Sequence, residues 1–117
     1  MNERIVLYND FFTGTLGANV TRYVEFNSPS VFLYAKAVAS NDSSATLALS
    51  GAGGLSIAAQ VIGDSGDPRT VAPASTDVDR EPANSLITVT LDYDGASGTA
   101  AENVHLLMFF LTGEPAS

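Results

Sequence analysis

The stretch Ser85-Leu86-Ile87-Thr88-Val89-Thr90-Leu91-Asp92-Tyr93 decides the fold class. Successive side chains of an extended chain point to opposite faces. Ile87, Val89, Leu91 and Tyr93 therefore share one face, and Leu86, Thr88, Thr90 and Asp92 the other. A period of two in β-branched residues reads as a half-buried strand. Asp94-Gly95-Ala96-Ser97-Gly98-Thr99 supplies a turn, and Asn103 to Thr112 returns as a second strong strand.

Working towards the N-terminus, the same rhythm recurs between clusters of Gly, Asn, Asp, Ser and Pro. Glu3 to Tyr8 is a predicted strand, ended by Asn9-Asp10 and followed by the aromatic pair Phe11-Phe12. In Ala18 to Phe26, Val20, Val24 and Phe26 share a face with Arg22, while Thr21, Tyr23 and Glu25 share the other. Val31 to Val38 is apolar on both faces except for Lys36, as in a strand covered on both sides. Ala45 to Ser50 and Leu55 to Ile62 follow, joined as a hairpin by Gly51-Ala52-Gly53-Gly54, whose glycines suit positive φ. From Gly63 to Asn84 the composition turns to Asp, Pro, Ser, Thr and Gly, with prolines at 68, 73 and 82. This long excursion has room for at most one short edge strand, around Thr70 to Ala72. The expected fold is a single-domain, all-β antiparallel β-sandwich of seven or eight strands with jelly-roll-like connectivity, and a closed barrel is the structural alternative. Residues 1–17 form a short N-terminal segment of that domain, and 63–84 its long Pro-rich loop.

At 117 residues the chain suits one domain, and at 45% hydrophobic it can bury a real core. It has no cysteine, hence no disulfide, thiolate metal site or thiol nucleophile. Five basic residues (Arg4, Arg22, Lys36, Arg69, Arg80) face 13 acidic ones, a formal net charge of −8. That field repels polyanions and the basic residues are scattered, so nucleic-acid binding is not expected. MNERIVLYNDFFTG does not read as a signal peptide, and Leu106 to Leu111 is far shorter than the ~20 residues of a membrane helix. The expected chain is soluble.

Gly63-Asp64-Ser65-Gly66-Asp67-Pro68 differs by one letter from the GDSGGP around the nucleophile of trypsin-like proteases. A serine nucleophile needs a base and a group to orient it. The only histidine, His105, follows Ser65 on a predicted strand, and the chain is about half the length that two-barrel fold requires. GDSGDP therefore reads as a polar turn, and no enzyme is expected. Asp77, Asp79 and Glu81 would project to one side of an extended segment, and Asp92 and Asp94 sit in a Gly-containing turn; both invite a cation. The spacing of Asp92-Tyr93-Asp94-Gly95 fails as an EF-hand, since Ala96 and Asn103 hold ligand positions, so ordinary turn carboxylates, and no cofactor or metal, are expected. His105 reads as a half-buried strand residue with a local hydrogen-bond partner. Gly51-Ala52-Gly53-Gly54 lacks the lysine and helix of a phosphate loop. Of the aromatic residues, Tyr8, Tyr23, Phe32, Tyr34, Tyr93, Phe109 and Phe110 read as core, whereas Phe11-Phe12 stands out as a pair with at least one ring towards a partner.

The pattern as a whole resembles the capsid decoration, or cement, proteins and related head accessory proteins of tailed bacteriophages. MNERIVLYNDFF ahead of the sandwich, the Ala/Ser/Gly-rich ATLALSGAGGLSIAAQV, and the closing ENVHLLMFFLTGEPAS carry the resemblance, which is one of style over the whole length without a diagnostic motif. It implies a non-enzymatic virion protein on the capsid exterior, often a homotrimer, that binds the major capsid protein and resists internal pressure by bridging subunits. Val31 to Val38, with Phe32 and Tyr34, and Leu106 to Leu111 are then candidates for subunit packing. Phe11 and Phe12 of the N-terminal segment, and Arg69 and Val71 of the excursion, are candidates for gripping the capsid. The alternative is a carbohydrate- or receptor-binding sandwich, such as a phage fibre or a secreted accessory module, working through aromatic platforms; the absence of Trp weighs against it.

Overall fold

The computed structural model describes residues 4–72 and 80–113. Ten strands follow in order: β1 (Arg4–Thr15), β2 (Val20–Val24), β3 (Ser30–Ala39), β4 (Thr46–Gly51), β5 (Ser56–Val61), β6 (Gly63–Asp64), β7 (Arg69–Val71), β8 (Arg80–Glu81), β9 (Ile87–Asp92) and β10 (Glu102–Thr112). They form a β-sandwich. One sheet runs β1-β10-β3-β6, with β7 and β8 also paired to β3, and the other runs β2-β9-β4-β5. All pairings are antiparallel except β3 with β6.

The alternation that suggested strands also builds the core. Ile87, Val89 and Leu91 of β9 are buried against Val104, Leu106, Met108 and Phe110 of β10, with Phe32, Ala35 and Ala37 of β3 and Leu47 and Leu49 of β4 completing the interior. Phe110 lies at its centre, with ring centroids 5.2 Å from Phe26 and 5.6 Å from Phe32.

Two expectations are corrected. First, Asn9-Asp10 does not end the first strand. Both polar side chains are satisfied across the strand: Asp10 Oδ2 accepts from Arg22 Nε at 3.1 Å, and Asn9 Oδ1 lies 2.9 Å from His105 Nε2. β1 therefore runs on through Phe11-Phe12 until a register shift between Phe12 and Thr15. Residues 4–15 are part of the sandwich, not a segment ahead of it.

Second, the described residues of the excursion contribute three short strands, not one, which carries the count among the described residues from the expected seven or eight to ten. All three pair with the same edge of β3: Gly63 and Asp64 beside Val38 and Ala39, Arg69 to Val71 beside Ala37 to Ala35, and Arg80 and Glu81 beside Val31 and Ser30. A sheet edge left unpaired would expose a row of main-chain donors and acceptors. Here the polar excursion covers it.

Glu81 fastens the far end of that cover. Its carboxylate is buried and accepts from the amides of Gly53 at 2.9 Å and Leu55 at 2.7 Å, and from Ser85 Oγ at 2.6 Å. Burial pushes this carboxyl up, but the hydrogen bonds from Ser85, Leu55 and Gly53 together outweigh it and hold it below the ordinary 4.5. The hairpin glycines are explained by this contact more than by positive φ, which only Gly54 adopts. A Cβ on Gly51 would strike the Glu81 carboxylate, and one on Gly53 would strike the Pro82 ring.

Candidate functional site

The outer face of the β1-β10-β3 sheet is the feature that core formation does not absorb. Its rows follow from the register, which places Ile5, Leu7, Asn9 and Phe11 beside Leu111, Phe109, Leu107 and His105. Beyond them lie Val31, Tyr34, Lys36 and Val38 of β3. β10 sets apolar residues at inner positions 104, 106, 108 and 110, and its outer positions 107, 109 and 111 are apolar too. The run Leu106 to Leu111 thus splits between core and surface.

Ile5, Leu7 and Phe11 are 65%, 52% and 54% exposed, while Leu107, Phe109, Leu111 and Tyr34 are half-buried by one another. Tyr34 stacks on Phe109 with centroids 4.6 Å apart, and Phe11 meets the His105 ring edge-on at 6.0 Å. With strands about 4.8 Å apart and a rise of about 3.4 Å per residue, the face from Ile5 to Phe11 across three strands covers roughly 300 Å². Asn9, His105 and Lys36 lie inside that outline, so its apolar part is smaller than this area, and the largest apolar patch of a monomer is often functional.

Charge sharpens the feature. None of these outer positions, nor Thr70 and Arg80 that continue the rows, is a carboxylate, in a chain with 13 acidic residues. Lys36, exposed in the middle of β3, makes no ion pair among the described residues. The face is therefore apolar and weakly basic on an acidic molecule, and acidic surfaces can approach it without repulsion.

The residues singled out from sequence now divide. Phe11 and Tyr34 lie on the outer face, and Arg69 is exposed at the covered edge, 3.6 Å from Asp67. Phe32 and Val71 are corrected: each is 1% exposed within the chain's own core and offers nothing to a partner. Phe12 points inwards, half-buried, with the Arg22 guanidinium 5.0 Å from its ring centroid. Ile5 and Leu7 were missed. The signal was present in RIVLYN, which is apolar in both strand parities, but only the pairing with β10 shows that the odd positions face outwards.

The described catalytic and metal candidates each have structural partners. In GDSGDP the Gly66 amide donates to Asp64 Oδ1 at 2.9 Å and the Asp67 amide to the Asp64 carbonyl at 3.0 Å, so Ser65 sits at the tip of a closed polar turn. His105 is half-buried, as expected, but its partner is not local in sequence: it is Asn9, on the neighbouring strand β1. Asp92 Oδ1 accepts from the amides of Asp94, Gly95 and Ala96, which commits it to its own turn. Asp77 and Asp79 lie outside the described residues, and no cluster of three metal-ligating side chains occurs among those described. A cleft of 520 Å³ opens between Arg4, Val6, Glu25, Phe26 and Thr112. It brings one acid and one base together, with no histidine among its lining residues. No helix of the described residues is long and apolar enough to cross a membrane. No protein-family model, curated protein or solved structure matches the chain.

Proposed function

We propose that the chain is a structural, non-catalytic docking domain of the capsid-decoration type. It seats the outer face of β1, β10 and β3 on the exterior of a phage capsid, bridges neighbouring major capsid protein subunits, and works as a homo-oligomer. The observation that carries this reading is the carboxylate-free apolar face built by Ile5, Leu7, Phe11, Leu107, Phe109 and Leu111. The sheet orders β1-β10-β3 and β2-β9-β4-β5 also support a jelly-roll reading, an architecture common in capsid and lectin domains.

Magnitude favours an oligomer. Asn9, His105 and Lys36 fall inside the outline of roughly 300 Å², so covering its apolar part is worth less than about 7 kcal/mol gross. That is of the same order as the ~4–15 kcal/mol that association costs, so one face on a flat seat holds weakly. Several faces joined in one particle hold far better, because each further contact forms at high effective concentration.

Co-sedimentation with expanded heads of tailed phages tests the reading. The protein is expected to pellet with heads, and Leu107→Lys to stay in the supernatant. Failure to pellet, combined with retention on a glycan array, would replace this reading with the carbohydrate-binding one.

A further inference from the structure

The two edges of the β1-β10-β3 sheet are treated differently. The β3 edge is covered by β6, β7 and β8, whereas no described strand pairs with the free side of β1. β1 keeps an unbroken register with β10 from Arg4 to Phe12 and contains neither proline nor lysine, the residues that commonly blunt an edge. We propose that this edge is a self-association site, on which β1 of a second copy adds antiparallel about a two-fold axis. The proposal deepens the docking function above and rests on it only for its purpose.

Hydrogen bonds and charge select the register. The Phe11 amide donates to Asp10 Oδ1 at 2.9 Å, so it points away from β10 towards the free edge. Main-chain groups alternate in an antiparallel strand, and Ile5, Leu7 and Asn9 therefore present theirs to the same side. Phe11 is already capped, which leaves the open run centred on Leu7. An axis through Leu7 sets Leu7 against the partner's Leu7 and Ile5 against the partner's Asn9, for about six main-chain hydrogen bonds. It also sets Arg4 against the partner's Asp10, twice by symmetry. Asp10 receives Tyr8 and Arg22 on Oδ2 and the Phe11 amide on Oδ1, which leaves Oδ1 able to accept once more. Arg4 and Asp10 are the only charges on β1, and they cancel. In a chain of net charge −8, this edge lets two copies meet without local repulsion. Pairing also joins the two outer faces into one of roughly 600 Å². That doubled face supplies the multivalent seat that the weak single face calls for.

The mass of the full chain in solution is the first measurement, expected to be that of a dimer that dissociates on dilution. The chain has no cysteine, so one introduced thiol reports position cleanly. Leu7→Cys is expected to form a disulfide-linked dimer on mild oxidation, since directly opposed residues lie within bridging distance. Tyr23→Cys, more exposed still on β2 of the other sheet, is expected to link at least tenfold more slowly. A monomeric or trimeric mass, or equal linking at the two positions, overturns the proposal. The two ideas fail separately: a native chain that dimerises but ignores phage heads defeats the docking reading alone, and a trimer that binds heads defeats the pairing alone.

Discussion

The Leu55 amide donates to Glu81 Oε2 at 2.7 Å and so ties the end of the polar excursion to the β4-β5 turn. One buried carboxylate thereby anchors a covering segment that has little apolar surface of its own. Glu81→Ala is expected to lower the unfolding free energy by about 2–4 kcal/mol, because it strands the Gly53 and Leu55 amides without acceptors. Gly51→Ala is expected to destabilise as well, by collision with that carboxylate. Urea denaturation of the variants measures both.

The same residue gives stability a pH dependence. The folded Glu81 carboxyl titrates below its ordinary 4.5, so the unfolded chain binds its proton more readily. Its contribution is complete above pH 4.5 and is lost as pH falls through the folded value. Urea midpoints between neutral and acid pH are expected to fall more steeply for the native chain than for Glu81→Gln in this acid range.

On the outer face, Leu107→Lys and Phe11→Ser are expected to change stability little, by about 0.5 kcal/mol for the exposed Phe11 and more for the half-buried Leu107. If the proposed docking holds, both abolish binding to phage heads. A thermal melt beside a co-sedimentation assay separates the two effects.

Phe110 and Met108 are fully buried one strand parity away. Phe110→Ala is expected to cost about 3–5 kcal/mol and Met108→Ala about 2–5 kcal/mol. Contrast with Leu107→Lys would show directly how the apolar run is divided between interior and surface.

Ser65→Ala is expected to leave stability within about 0.5 kcal/mol of the native chain, as for any exposed turn position. The melting temperature is expected not to change between calcium and a chelator. An upward shift with calcium would show that turn carboxylates such as Asp92 do more than satisfy backbone amides.

Strands β2, β4, β5 and β9 were legible because each carries its own period of two over five or more residues, and β3 and β10 because each is a continuous apolar run between turn signals. β6, β7 and β8 were not, or only in part: segments of two or three residues have no period, and their pairing is dictated by the edge of β3. The continuation of β1 through Asn9-Asp10 was hidden because turn-forming residues were satisfied by His105 and Arg22, both distant in sequence. Of the candidate contacts, Phe11 and Tyr34 reached the surface, while Phe32 and Val71 did not. A strand apolar on both faces does not reveal which face is inside until a register shift fixes it, and in β3 that shift falls between the positions of Phe32 and Tyr34.

The cover over β3 has a consequence for growth. Antiparallel addition about a two-fold axis uses the same edge on both copies, and the opposite edge of this sheet is already occupied by the chain's own excursion. β3 is then closed to a third molecule wherever β6, β7 and β8 pair with it. Assembly through β1 closes at two copies and cannot run on into a fibre.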